Sequence, residues 1–95
     1  MGYQLTEDAE QDLIDIYVYS WREFGEDKAE SYHEALSSHF DLLATNPKLG
    51  TDFSHVKAHA RRSTCASHSV YYRLLGNEVL ILRVLHQSRD PARFL

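Results

Sequence analysis

The sequence has one cysteine, two prolines, four glycines and one tryptophan in 95 residues. Cys65 has no second thiol in the chain, so a disulfide framework is excluded as the source of stability. No stretch approaches the roughly 20 consecutive apolar residues that a membrane helix needs, so no membrane partner is expected. The start, MGYQLTEDAEQDL, lacks the basic and apolar regions of a secretory leader, and a cytoplasmic location is the expectation. The chain also lacks a basic excess: its formal net charge is −4. That argues against sequence-specific nucleic-acid binding, which usually leaves a strongly basic footprint. No glycine-rich phosphate loop, internal repeat or low-complexity tract is present.

What is present suits one small folded domain over residues 1–95, with 43% apolar and 12% aromatic residues. A chain of this length buries only a little over ~60% of its unfolded surface. Charge is divided along it. Residues 1–50 hold eleven acidic and three Lys or Arg side chains, residues 51–95 three acidic and seven basic ones.

Tyr3 to Leu5 reads as a short strand. Thr6 can cap a helix whose first turn carries Glu7, Asp8 and Glu10, anions favoured at a helix N-terminus. Ala9, Leu13, Ile16, Tyr17 and Ser20 keep helical spacing towards Phe24, and Gly25 ends the helix. The pattern resumes from Asp27 at Ala29, Tyr32, Leu36, Phe40 and Leu43, and Asn46 before Pro47 is a natural stop. The two helices are expected to form an antiparallel hairpin, followed by a loop over 47–58. From Arg61 onward the composition turns to strand. Segments 69–75 and 78–85 flank Gly76-Asn77, a two-residue hairpin signal. That turn predicts Leu74 opposite Val79, Tyr72 opposite Ile81 and Val70 opposite Arg83 on one face, with Arg73 opposite Leu80 and Tyr71 opposite Leu82 on the other; His68 is expected to face Leu85. Arg83, placed among Val79, Ile81 and Leu85, should be paired or at an edge.

The expected fold is therefore α+β, a β-α-α-β-β-β order with a helical hairpin on a three-stranded antiparallel sheet. One helical hairpin covers one sheet face, yet both faces of the β-hairpin are apolar. Either the tail and the 47–58 loop cover the second face, or it is an exposed patch for a partner.

The search for chemistry gives little. Neither His33-Glu34 with His39 nor His55 with His59 has the spacing of a zinc site, and no metal or cofactor is expected. Cys65 reads as a small buried strand residue, and Asp90 before Pro91 as a turn residue. The remaining feature is a basic cluster: Arg61, Arg62, His68, Arg73, Arg83, His86 and Arg89. It has three possible uses: binding and cleaving RNA at a phosphate, pairing with carboxylates of a partner, or forming internal ion pairs.

Across almost its whole length the chain resembles the ParE branch of the RelE/ParE toxin superfamily. The resemblance runs through AEQDLIDIY at 9–17, FGEDKAESY at 24–32 and NPKLG at 46–50, then Arg62, HSVYYR at 68–73, and ILRVLH at 81–86 with Arg89-Asp90. It implies the toxin of a type II toxin–antitoxin pair, serving plasmid or chromosome maintenance, that inhibits DNA gyrase without a catalytic centre and is wrapped by a ParD-like antitoxin. The residues expected at the antitoxin or target are Arg62, His68, Tyr71, Arg73, Leu80, Leu82, Arg83, His86 and Arg89. The superfamily's other branch cleaves ribosome-bound mRNA. That alternative would use Arg61, Arg62, Arg83 and His86, but the sequence departs from it in having no tyrosine in its last nine residues and in its net negative charge.

Overall fold

A computed structural model describes residues 2–95. In chain order the elements are β1 (Tyr3–Leu5), α1 (Glu7–Phe24), α2 (Glu26–Thr45), β2 (Thr51–Asp52), β3 (Arg61–Cys65), β4 (His68–Leu75), β5 (Glu78–His86) and a final turn of helix, α3 (Pro91–Phe94). The Thr6 hydroxyl accepts the Ala9 amide as the N-cap of α1, and Gly25 alone separates α1 from α2.

The sheet is larger than the three antiparallel strands expected. It has five strands in the order β1-β5-β4-β3-β2 and is mixed, because β1 runs parallel to β5. The segment read as a loop over 47–58 supplies the two-residue strand β2, antiparallel to β3. The strand at Tyr3–Leu5 is where it was expected, but its parallel pairing with β5 has no local signal, and β2 is too short for a period; both are fixed by distant partners.

The hairpin register holds for four pairs, from Leu75–Glu78 to Tyr72–Ile81, and then slips. Leu82 is the extra residue of a β-bulge, so Tyr71 opposes Arg83, Val70 opposes Val84, and His68 opposes His86 rather than Leu85. This corrects the expected Val70–Arg83 and Tyr71–Leu82 pairs. The bulge lets Val84 enter the core and takes Arg83 off the face of Val79 and Ile81. Helix α1 satisfies the polar groups that the bulge and the open edge of β5 leave free. Thr6 Oγ1 donates to the Leu82 carbonyl at 2.8 Å, and the Asp12 carboxylate accepts the Val84 amide at 2.9 Å.

The helical hairpin packs on one sheet face around Leu36, Phe40, Leu43, Val70, Tyr72 and Ile81, all almost fully buried. The second face is not left open. Phe53, Val56 and Ala60 from the β2–β3 segment, with Phe94 and Leu95 from the tail, close over Tyr71, Leu82 and Leu85. Of the two alternatives for this face, cover by the tail and the segment after α2 is the one found.

Both two-residue β-turns place a positive φ at their first position, +64° at Gly76 and +54° at Ala66. Glycine takes this conformation freely, whereas alanine is strained in it. Ala66→Gly is expected to stabilise the protein by about 1 kcal/mol, raising the melting temperature by about 5 °C. A lower melting temperature would show that Ala66 is not strained.

Candidate functional site

The residues expected to contact a partner do not form one surface. Tyr71 is buried under Phe53, with ring centroids 5.3 Å apart, and Leu82 packs in the same covered cluster. Arg62 is exposed above them, its guanidinium 5.6 Å from the Phe53 ring. Arg73 and Leu80 oppose each other near the tip of the β-hairpin, both half-buried.

Two arginines are committed to holding the fold. Arg83 donates through Nε and Nη2 to the two oxygens of Asp12, at 2.8 Å each, and through Nη1 to the Phe94 carbonyl. This pair is mostly shielded from solvent and raises the Arg83 pKa further, first through the Asp12 hydrogen bond. Arg83 is thus paired, as expected, and all three of its guanidinium nitrogens donate within the chain. Arg61 donates to the carbonyls of Gly50 and Lys48, tying the segment after α2 to β3.

The arrangement does bring His68, His86 and Arg89 together, at the sheet end of a groove of about 1100 Å³. Ile16, Tyr19 and Phe24 of α1 form one side and Tyr32 and Ala35 of α2 another; Ser67 and Ser88 complete the sheet end. Tyr19 and Phe24 are among the most exposed apolar side chains, at 61% and 62%, and their rings meet edge to face. Ile14, Val18 and Trp21, one or two turns apart, add an exposed apolar stripe on α1. These α1 residues were missed as a surface. Their spacing was a usable signal, since α1 carries one apolar stripe at Ala9, Leu13, Ile16 and Ser20 and a second at Ile14, Val18 and Trp21.

At the sheet end, the Tyr32 hydroxyl lies 2.6 Å from His68 Nδ1 and accepts the Ser67 amide at 3.2 Å. The His68 and His86 rings meet at right angles with centroids 5.4 Å apart. Burial, then the neighbouring His86, holds the His68 pKa below the ordinary imidazole value, with Asp12 acting weakly the other way. Burial also lowers His39, which is hydrogen-bonded to Ser63. Burial raises Tyr32 and the Cys65 thiol, leaving the thiol with little thiolate character. Among the described residues no group of three His, Cys, Asp or Glu is placed to hold a metal ion, and no helix is long and apolar enough to cross a membrane.

The depressed histidines make stability depend on pH. Above the ordinary value of 6.5 both states keep the rings neutral; as pH falls through it, the unfolded chain binds protons first and the folded state loses ground. The melting temperature is expected to fall between about pH 7 and pH 5.5, above the main carboxylate range, and His39→Gln should flatten that slope. An unchanged slope in this variant would exclude His39 as a source.

The five-stranded mixed sheet carrying a helical hairpin makes this an α+β fold, and a solved ParDE chain shares it. A solved chain described as the chromosomal ParDE TA system from P. aeruginosa superposes with a TM-score of 0.78 over 90% of this chain and 95% of that one, at 24% identity. Residues 3–91 match the family model described as the ParE toxin of the type II toxin–antitoxin system parDE, and the chain belongs to that family. Among curated relatives, Toxin ParE1 of Caulobacter vibrioides is 38% identical over 93 residues, covering 98% of this chain and 96% of the relative. Toxin ParE1 of Mycobacterium tuberculosis is 32% identical over 94 residues, with the same coverage. The protein is the toxin component of a type II toxin–antitoxin system.

Proposed function

We propose that this toxin inhibits DNA gyrase in the cytoplasm by binding it, without a catalytic centre, and that a ParD-like antitoxin neutralises it. The observation that carries the non-catalytic reading is the commitment of Arg61 and Arg83 to internal partners. The nuclease alternative would use Arg61 or Arg62, with Arg83, on the phosphate and His86 as acid or base. Arg61 lies on the helix-covered side with Tyr72 and Arg62 on the opposite side with Tyr71, while His86 is level with Cys65, about 13 Å further along the sheet from Arg61.

Membership of the family supports gyrase as the target and a ParD-like protein as the partner. The exposed apolar groove supports an antitoxin segment lying along the helical hairpin, in place of the β-hairpin face that the chain covers itself. Purified toxin is expected to inhibit gyrase supercoiling or accumulate cleaved DNA complexes at micromolar concentration, and the antitoxin should reverse this. No effect on gyrase would remove the target assignment. Cutting of ribosome-bound mRNA in a translation extract, lost in His86→Gln, would restore the nuclease reading.

A further inference from the structure

We propose that the sheet end of the groove is a carboxylate-binding subsite, in which the Nε2–H groups of His68 and His86 and the guanidinium of Arg89 receive an Asp or Glu side chain of the antitoxin. The subsite itself follows from the toxin's own hydrogen bonds; only the identity of the molecule bearing the carboxylate rests on the reading above.

The tautomers are fixed by neighbours. The Ser88 amide donates to His86 Nδ1 at 3.1 Å, and an amide N–H only donates, so Nδ1 is an acceptor and the neutral ring carries its proton on Nε2. At His68 the Tyr32 oxygen already accepts the Ser67 amide. The Tyr32 proton has His68 Nδ1, 2.6 Å away, as its acceptor, and the tautomer that uses it carries the imidazole proton on Nε2. Two adjacent rings are thus both donors at the nitrogens that no described residue engages.

Arg89 lines the groove, has no carboxylate partner among the described residues, and its guanidinium sits 5.2 Å from the Phe94 ring. Lys28 and Asp15 line the groove on α2 and α1; Asp15 accepts a hydrogen bond from Gln11, and Asp12 is taken by Arg83. Of the charged side chains lining the groove, Lys28 and Arg89 are positive and Asp15 negative, so the lining carries a net positive charge. Hydrogen bonds from such a group to an ionised acceptor are stronger than neutral ones.

The surroundings select the kind of anion. The helices walling the groove belong to the half with eleven acidic residues against three Lys or Arg. An extended polyanion such as RNA is repelled by those helices. A single carboxylate on an otherwise apolar segment can reach the donors while its apolar neighbours meet Ile16, Tyr19 and Phe24.

The test uses the full chain labelled with ¹⁵N. Long-range proton–nitrogen spectra at neutral pH should show both histidines with the proton on Nε2. Titration with sodium N-acetylglutamate at constant ionic strength should move the two Nε2 signals saturably. Arg89→Gln should weaken that response at least fivefold, and Arg93→Gln should leave it unchanged. A proton on Nδ1 of either ring, or equal shifts with sodium chloride, would overturn the subsite. Tighter binding of inorganic phosphate than of N-acetylglutamate would overturn its assignment to carboxylates. Arg89→Gln should also weaken antitoxin binding at least fivefold. If N-acetylglutamate binds as expected but antitoxin affinity is unchanged, the subsite stands and the antitoxin as its occupant is excluded.

Discussion

Replacing Asp12 by alanine is expected to cost about 3 kcal/mol and to lower the melting temperature by roughly 15 °C. The Asp12 carboxylate accepts two hydrogen bonds from Arg83 and one from the Val84 amide, and the pair's side chains are only 19% and 11% exposed. Its removal leaves a shielded guanidinium without its counter-charge and an amide without an acceptor. Breaking a buried ion pair from one side commonly costs about 3–5 kcal/mol, and the residual exposure places this one at the lower end. Asp12→Asn, which keeps an acceptor for Val84, should lose less. The Asp12→Ala, Arg83→Met double variant should recover part of the loss, because no orphaned charge remains. A loss below about 1 kcal/mol for Asp12→Ala would mean that solvent screens the pair as it does a surface one. The same geometry predicts that Arg83→Ala lowers the free toxin's melting temperature and leaves antitoxin affinity of the folded fraction unchanged.

Gly50→Ala should be about as damaging, near 3 kcal/mol, although its backbone needs no conformation special to glycine. A Cβ there would lie 2.6 Å from the Tyr72 hydroxyl oxygen and 2.7 Å from the Arg62 carbonyl oxygen. Neither can retreat. Tyr72 is fully buried, accepts the Gly50 amide at 2.8 Å and donates to the Pro47 carbonyl at 2.7 Å, while Arg61 holds the Gly50 carbonyl from the other side. Overpacking costs about 1–3 kcal/mol, and losing buried hydrogen bonds costs a similar amount. Tyr72→Phe removes only the hydrogen bonds and should cost less. In urea denaturation the two substitutions should be less than additive, since the phenylalanine relieves the hydroxyl clash and keeps only the ring carbon, 2.9 Å from the Cβ, and the Arg62 oxygen. Strict additivity would show that the hydroxyl contributes nothing to the cost.

The sequence made local features readable and left distant ones hidden. Thr6 as cap, Gly25 as break, Asn46 before Pro47 and the Gly76-Asn77 turn each act through immediate neighbours, and each is found where the pattern put it. Two-residue β2 and the parallel pairing of β1, itself read at Tyr3–Leu5, are defined by partners far along the chain, so no periodicity marks them. The bulge at Leu82 was equally silent, because Thr6 and Asp12 compensate it from another element. That slip explains the misplacement of Arg83. The second apolar face is covered by Phe53, Val56, Ala60, Phe94 and Leu95, contacts that no local pattern encodes. Of the candidate site, the motif residues His68, His86 and Arg89 meet in space, whereas Tyr71 and Leu82 are under cover that only the fold reveals.

The pairing of β1 with β5 also governs when the protein can become toxic during its synthesis. Gln4 and Thr6 reach Glu78 and Leu82 across 74 and 76 residues, and β5 lies between β1 and β4. A nascent chain that has not yet released β5 therefore has no strand for β1 to join, no floor under α1, and no His86 at the end of the groove. Contacts of such long sequence separation form late and slow folding. Almost the entire chain must leave the ribosome before the groove and its sheet end exist. Prematurely terminated products, lacking the central strand, are left without the fold that carries the activity.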